Sequence, residues 1–167
     1  STTISATQGV AITPITFTSD VAATFNVTGL PAGLSTTTAA DKKSVTISGT
    51  PTGYGTSNFT VSATAYGKTS SVSGSVTVAQ KLPTLVLTSG SANQTVNVNA
   101  AISTIKYTAS GSAASIKVDG LPNGVTAAIS GLVATISGKP SEVGTFNFSV
   151  TATNNESKTT VLSGKIV

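Results

Sequence analysis

The chain has 167 residues and a formal net charge of +4, and only 8% of its residues are charged. It contains no cysteine and no histidine, which excludes disulfide bridges and most thiol, imidazole and transition-metal chemistry. About a third of the residues are Ser or Thr, and no segment has an apolar period of the helical type. The sequence therefore predicts an all-β fold.

The distribution of charge and hydrophobicity argues against nucleic-acid and membrane partners. The basic residues are all lysines and only Lys42 and Lys43 are adjacent, whereas nucleic-acid surfaces carry clustered Arg and Lys with interleaved aromatics. No apolar stretch approaches the length of a membrane span. The chain begins with Ser1 rather than Met, so we expect an excised piece or a processed product, and we expect a monomer.

Short segments of alternating apolar and polar residues, separated by Gly and Pro, fill the first half of the chain. In the longest segment Phe59, Val61 and Ala63 alternate with hydroxyl residues, which is typical of a strand with one buried face. Gly29–Gly33 predicts a turn, and Pro14 places the first strand at an edge or a bend. The predicted strands are 10–18, 22–28, 34–38, 44–48, 56–65 and 71–79.

A domain boundary is expected at Gln80-Lys81, where Pro83 stiffens a linker too short for wide reorientation. This boundary gives two domains of similar size, residues 1–80 and 81–167. The strands predicted in the second domain are 84–88, 95–99, 101–108, 114–119, 125–129, 132–137, 145–153 and 159–167. About seven short strands per domain, separated by turns, indicate two tandem β-sandwiches.

The second half of the chain repeats the first. Residues 45–64, a strand end with Gly and Pro followed by the Phe-x-Val-x-Ala alternation, return as residues 134–153. The turn that begins at Gly29 returns at Gly120. Three large side chains upstream also match, namely Ile12, Ile15 and Phe17 with Ile102, Ile105 and Tyr107. Such a repeat indicates one structural unit used twice, with loops absorbing small insertions.

The motifs of the first copy resemble a known pattern. Gly-Leu-Pro-x-Gly-Leu at 29–34, Ile-Ser-Gly-Thr-Pro at 47–51 and Phe-Thr-Val-x-Ala-Thr at 59–64 are similar to Ig-like modules of bacterial secreted and surface proteins, which are similar to dystroglycan-type cadherin-like domains. The second copy departs from the pattern at Val125 and Lys139. The resemblance implies an Ig-like sandwich, an extracellular or bacterial cell-surface location, and neighbouring catalytic or adhesive domains in proteins that often act on polysaccharides.

The sequence offers no constellation for catalysis, a metal or a cofactor. The acidic residues are Asp20, Asp41, Asp119, Glu142 and Glu156, and none of their spacings matches a calcium-binding loop. No motif places a base beside a particular serine, and no facing carboxylate pair is indicated. The family pattern is structural and supplies no catalytic residues. We therefore expect a non-enzyme without cofactors or metals.

The tyrosines are the remaining candidates for ligand contact, because exposed rings can bind sugar faces. Tyr107 aligns with Phe17 and is expected in the core. Tyr54 lies in a Gly-flanked loop and is our candidate ligand-binding residue. Tyr66 follows the strand 56–65, so at about 3.3 Å per residue the two rings should lie some 30 Å apart, at opposite ends of the sandwich.

Two functional hypotheses follow. The first is a non-catalytic tandem Ig-like segment of a larger bacterial surface or secreted protein, which spaces or presents neighbouring domains of the same chain. The second is a carbohydrate-binding or adhesion module that contacts polysaccharide through end loops such as 50–55 or 139–144. An exposed aromatic cleft would favour the second hypothesis, and a smooth surface of Ser and Thr the first.

Overall fold

The computed structural model describes residues 2–167, and within them the regular structure consists of β-strands. The prediction of an all-β fold is confirmed. The chain divides into two compact units, one ending at Lys81 and the other comprising Leu82–Val167. We call them unit 1 and unit 2, and each is described by itself.

The described strands of unit 1 are β1 Thr2–Thr7, β2 Ile15–Thr18, β3 Thr24–Thr28, β4 Leu34–Thr38, β5 Ser44–Gly49, β6 Gly55–Ala65 and β7 Lys68–Ala79. They form two sheets, ordered β1-β7-β6-β3 and β2-β5-β4. The neighbours in both sheets are antiparallel except for β1 and β7, which run parallel.

Unit 2 repeats this arrangement with one more strand among its described residues. The strands are β8 Thr84–Ser89, β9 Asn93–Gln94, β10 Ile105–Ser110, β11 Ala113–Asp119, β12 Val125–Ser130, β13 Val133–Gly138, β14 Phe146–Asn154 and β15 Thr159–Ile166. They form two sheets, ordered β12-β13-β10-β8 and β11-β14-β15-β9, and β9 pairs parallel with β15 as β1 does with β7. The additional strand is β8, which pairs antiparallel with β10.

Most predicted strands are present, but the start of each unit differs from the prediction. Strand β1 was not predicted, and β2 begins only at Ile15, after Pro14, which has no N–H to donate to a ladder. The prediction of a strand over 95–99 is wrong, because the chain turns between Asn97 and Ala100 and Asn99 has a φ of 63°. In unit 2 the regular pairing in this region is confined to β9.

Each core lies between two sheets. In unit 1 it is formed by Val45 and Ile47 of β5 together with residues of β1, β6 and β7 in the opposite sheet. In unit 2 the buried residues likewise come from both sheets. A core drawn from both sheets makes each unit a β-sandwich.

One aromatic ring is central to each core. Phe59 and Phe148 are almost completely buried, as the alternation predicts. Phe59 lies opposite Gly74 of the neighbouring strand, and a Cβ on Gly74 would come within 2.5 Å of the Phe59 Cζ. The Phe59 ring also meets Phe17 of the other sheet edge-on, with ring centroids 6.2 Å apart. The ring therefore occupies space that glycine leaves open.

We expect Phe59→Ala and Phe148→Ala each to lower the free energy of unfolding of its unit by about 3–5 kcal/mol, because each empties a large buried ring site. The free energy of unfolding of a folded protein is about 5–15 kcal/mol in total, so this loss is large enough to unfold a unit. Thermal and urea unfolding measure the effect, with Thr60→Ala on the opposite face of the same strand as the control. Equal melting of Phe59→Ala and Thr60→Ala would contradict the inward assignment of the ring.

Candidate functional site

Tyr54 lies in the loop between β5 and β6, and 46% of it is exposed. Backbone hydrogen bonds hold this loop against the rest of unit 1. The Thr50 N–H donates to the Gly33 carbonyl and the Thr52 N–H to the Ala32 carbonyl, each at 3.0 Å, and the Gly9 N–H donates to Pro51 at 2.9 Å. The loop is therefore fixed on two sides, and Tyr54 extends from a defined position.

Tyr66 lies at the other end of β6 and is 91% exposed. With Gly67 it forms the two-residue turn that joins β6 to β7, and both residues have positive φ. The 11 residues of β6 separate the two tyrosines, which corresponds to about 36 Å. Tyr54 and Tyr66 thus cannot contribute to one small-molecule site.

The second predicted end loop, 139–144, borders an apolar pocket of about 230 Å³ in unit 2. Val143 at the tip corresponds to Tyr54 and is 88% exposed. Val96 and Gly144 border this pocket. Their counterparts in unit 1 are Ala6 and Gly55, and both of these residues pair with Val78, whose side chain is buried. Unit 1 therefore fills the corresponding space with its own strand, which identifies the pocket as a packing position.

A larger depression, which sequence reasoning missed, lies on unit 1. We call it the side cleft, and its volume is about 500 Å³. Its lining comes from both sheets, at β2 on one side and β3, β6 and β7 on the other. The lining residues are Thr16, Phe17, Thr18, Ser19, Asp20, Phe25, Val61, Ala63, Ser70 and Val72.

Val72 shows why the side cleft is unusual. It pairs directly with the buried Val61, so its side chain faces inward, yet 45% of it is exposed. Alternation along β7 places Val72, Gly74 and the following alternate residues on one face. The exposure of Val72 depends on which strand covers it, and alternation along β7 carries no signal for that.

The acidic residues each have a local environment of their own. The Asp41 Oδ1 accepts a hydrogen bond from the Lys43 N–H at 2.9 Å within a turn, and Asp119 forms an exposed ion pair with Lys117 at 2.9 Å. The Glu142 Oε1 accepts from the Asn123 N–H at 3.1 Å. In the part of the chain that the structure describes, no three acidic residues group as a metal site would require. These contacts define turns and strand ends.

Hydroxyl groups line the outer face of β6 and β7. Pairs opposite each other across the two strands are within hydrogen-bonding distance, with oxygen–oxygen separations of 2.9 Å for Ser62 and Ser71 and 2.8 Å for Thr64 and Thr69. Two further pairs follow the same rule, Thr56–Thr77 and Thr60–Ser73. Cross-strand pairs of this kind stabilise a sheet by roughly 0.2–1 kcal/mol each. The face is a regular surface of Ser and Thr.

Tyr107 lies in the core of unit 2, as the sequence predicts, and its ring meets Phe148 edge-on at 6.5 Å. Its hydroxyl is buried and has no hydrogen-bond partner among the described residues. Burial raises the pKa of this hydroxyl above its usual value of 10.0, because the charged form would be desolvated. The corresponding residue of unit 1, Phe17, makes the same ring contact without a hydroxyl.

We expect Tyr107→Phe to raise the free energy of unfolding of unit 2 by about 1–2 kcal/mol, because it removes an unpaired buried polar atom and keeps the ring. Urea unfolding measures the change, and a loss of stability would instead reveal a partner for the hydroxyl.

The effect of pH on the same residue has a definite sign. Because the folded-state pKa of Tyr107 is raised, the free energy of unfolding of unit 2 is constant with respect to this group below about pH 10 and falls as the pH rises through the folded pKa. Tyr107→Phe has no group to ionise at this position, so we expect its stability advantage over the parent chain in urea unfolding to widen above about pH 10.

Comparison with known proteins supports the fold. The sequence profile of the family described as "Putative Ig domain" matches residues 83–166, which is more than half of the chain. None of the curated proteins compared with the chain matches it. Among the described residues there is no helix long and apolar enough to cross a membrane.

One solved structure of an Ig tandem shares the fold, and two other solved structures have lower structural similarity. The titin domains Z1Z2, solved in complex with telethonin, are 8% identical, with 99% of this chain and 91% of that chain covered and a TM-score of 0.54. A titin I-band fragment is 13% identical, with coverage of 98% and 62% and a TM-score of 0.46. An endo-fucoidan hydrolase of glycoside hydrolase family 107 is 19% identical, with a TM-score of 0.41. The match covers 98% of this chain, which corresponds to only 27% of the length of that enzyme.

Proposed function

The chain belongs to the family described as "Putative Ig domain", and we propose on that premise that it is a non-catalytic tandem segment of a larger bacterial surface or secreted protein. Its role is to space or present neighbouring domains of the same polypeptide. The fold by itself hosts many functions, so the proposal depends on how the strands are connected.

The parallel pairing of the first and last strands of unit 1 carries this proposal. Thr2 pairs with Gly74 and the register continues to Thr7 with Ala79. Since β1 and β7 run in the same direction, the chain enters β1 beside the middle of β7 and leaves the end of β7 farther along the same direction. A unit with this connectivity adds length to an array in one direction, and the five residue steps from Thr2 to Thr7 correspond to about 17 Å.

The same pairing suits a segment under tension. A force on the two ends pulls β1 and β7 in opposite directions along their length, so the hydrogen bonds between them are loaded together. In unit 2 β9 and β15 are also parallel, over two residue pairs. The paired hydroxyls on the outer face of β6 and β7 agree with a spacer, since they form a regular surface without an aromatic cleft.

Single-molecule pulling on the full chain, attached at its ends, tests the spacer. We expect unit 1 to unfold in one step that lengthens the chain by about 250 Å, at roughly 3.5 Å per residue less the folded length. The control applies force between the amino terminus and a thiol introduced by Tyr66→Cys, which is unique because the chain has no cysteine. Tyr66 precedes the start of β7 and Thr2 lies beside Gly74, so this force loads the hydrogen bonds between β1 and β7 one after another from Thr2, and β1 should peel from β7 at a several-fold lower force. Equal forces in the two geometries would overturn the mechanical argument.

Glycan binding or adhesion through the end loops is the alternative, and one observation favours it. The corresponding loop tips of the two units, Tyr54 and Val143, both expose a large apolar side chain. A ring held in a fixed loop could contact the face of a sugar.

Retention on insoluble polysaccharides distinguishes the two functions. A spacer should pass through such columns without delay. Binding at the 50–55 loop should give a retention that Tyr54→Ala abolishes. Tyr66→Asn is the control, because it removes an exposed ring at the other pole and asparagine tolerates the positive φ of that turn.

A further inference from the structure

The core-facing side chains of β2 are less buried than their counterparts in unit 2. Ile15 and Phe17 are half-buried, whereas Ile105 and Tyr107 of β10 are almost completely inaccessible. Three more pairs show the same difference, namely Ile12 with Ile102, Phe25 with Ile116 and Ala63 with Ala152. The repeats therefore place equivalent apolar residues in equivalent positions but cover them unequally.

Strand β8 accounts for the difference. In unit 2 it pairs with β10, placing Leu87 opposite Tyr107 and Leu85 opposite Ala109. Leu85 is buried, and Leu87 packs against the core of unit 2. In unit 1, β2 is the edge of a three-stranded sheet, and no described strand pairs with it on the side away from β5.

The side cleft occupies the position that β8 would cover. It lies beside Phe17 and Ser19, the counterparts of Tyr107 and Ala109, and reaches Val72 in the opposite sheet. An open strand edge with unpaired backbone groups, next to a depression that exposes Phe17, Phe25 and Val72, is a template for one more strand. The backbone of such a strand would form hydrogen bonds with the unpaired groups of β2, and its alternate apolar side chains would fill the cleft.

The connection seen in unit 2 shows how such a strand can arrive. Three residues, Gly90–Ala92, join β8 to β9, and β9 pairs with β15 as β1 pairs with β7. A strand joined to β1 by an equally short connection would therefore lie along β2.

We propose that unit 1 is completed by a further strand that directly precedes β1 in the polypeptide, runs antiparallel to β2 and places two alternate aliphatic side chains in the side cleft. This inference is independent of the spacer function. A second copy is a poorer occupant, because the four residues of β2 offer little of the 1,200 Å² or so that a stable interface buries.

The test extends the full chain at its amino terminus with a copy of residues 83–90, so that the added glycine precedes Ser1 as Gly90 precedes Ser91. The matched control is the same extension with serine in place of both leucines. Val72→Cys supplies a single thiol in the cleft, and Ser71→Cys supplies one on the outer face of the same strand.

With the leucine extension we expect thiol labelling of Val72→Cys to slow at least tenfold and labelling of Ser71→Cys to stay unchanged. Backbone amides of Ile15–Thr18 should exchange with deuterium more slowly, and unit 1 should melt at a higher temperature. The serine extension should have none of these effects. Unchanged labelling of Val72→Cys, or equal protection by both extensions, would overturn the proposal.

Two further outcomes would assign the cleft to another occupant and overturn the proposal. The first is that the unextended chain sediments as a dimer and that the chain with the leucine extension sediments as a monomer. This result would mean that a second copy covers β2. The second is a polysaccharide retention of the unextended chain that the leucine extension abolishes, which would make the cleft a glycan site.

Discussion

The buried phenylalanine of the long strand is the constraint on which each unit depends. Phe59 lies over Gly74 within its own sheet and meets Phe17 of the opposite sheet edge-on, and Phe148 does the same with Gly164 and Tyr107. Close-packed interiors leave no room for a side chain at the glycine once the ring is in place. The ring thus links three strands and fixes how the two sheets pack against each other. Each copy keeps both partners of its ring, although few other large side chains are available to either core.

Most polar side chains that approach one another in this protein do so to stabilise strands and turns. Thr56 and Thr77 pair across two strands, Asp41 closes a turn on Lys43, and the Asn154 Oδ1 accepts hydrogen bonds from two backbone N–H groups of its turn. A polar group that is committed to a turn or a ladder has little freedom to take part in chemistry. The surfaces that remain available for a partner are accordingly the loop tips, where Tyr54 and Val143 expose apolar side chains.

Sequence periodicity predicts the strands that carry strong alternation and misses what depends on neighbours. Phe59 and Val61 follow the period of two and are buried as expected. Strand β1 escapes prediction because its small residues give a weak pattern, and the 95–99 prediction fails because Asn99 takes a turn conformation that alternation does not reveal. The half-burial of Phe17 could not be predicted, since it depends on whether a strand lies beside β2 and not on β2 itself. Tyr54 could be placed in a loop but its degree of exposure could not.

The two units serve as internal controls for each other, and the comparison changes how their depressions are interpreted. The apolar pocket of unit 2 lies where unit 1 places Val78, and the side cleft of unit 1 lies where unit 2 places β8. A depression that one copy fills with its own backbone has the shape of a strand, and free backbone groups lie at its rim. The repeat therefore favours strand completion over small-molecule binding at both places, and it leaves the exposed loop tips as the surfaces through which a ligand or a neighbouring domain could make contact.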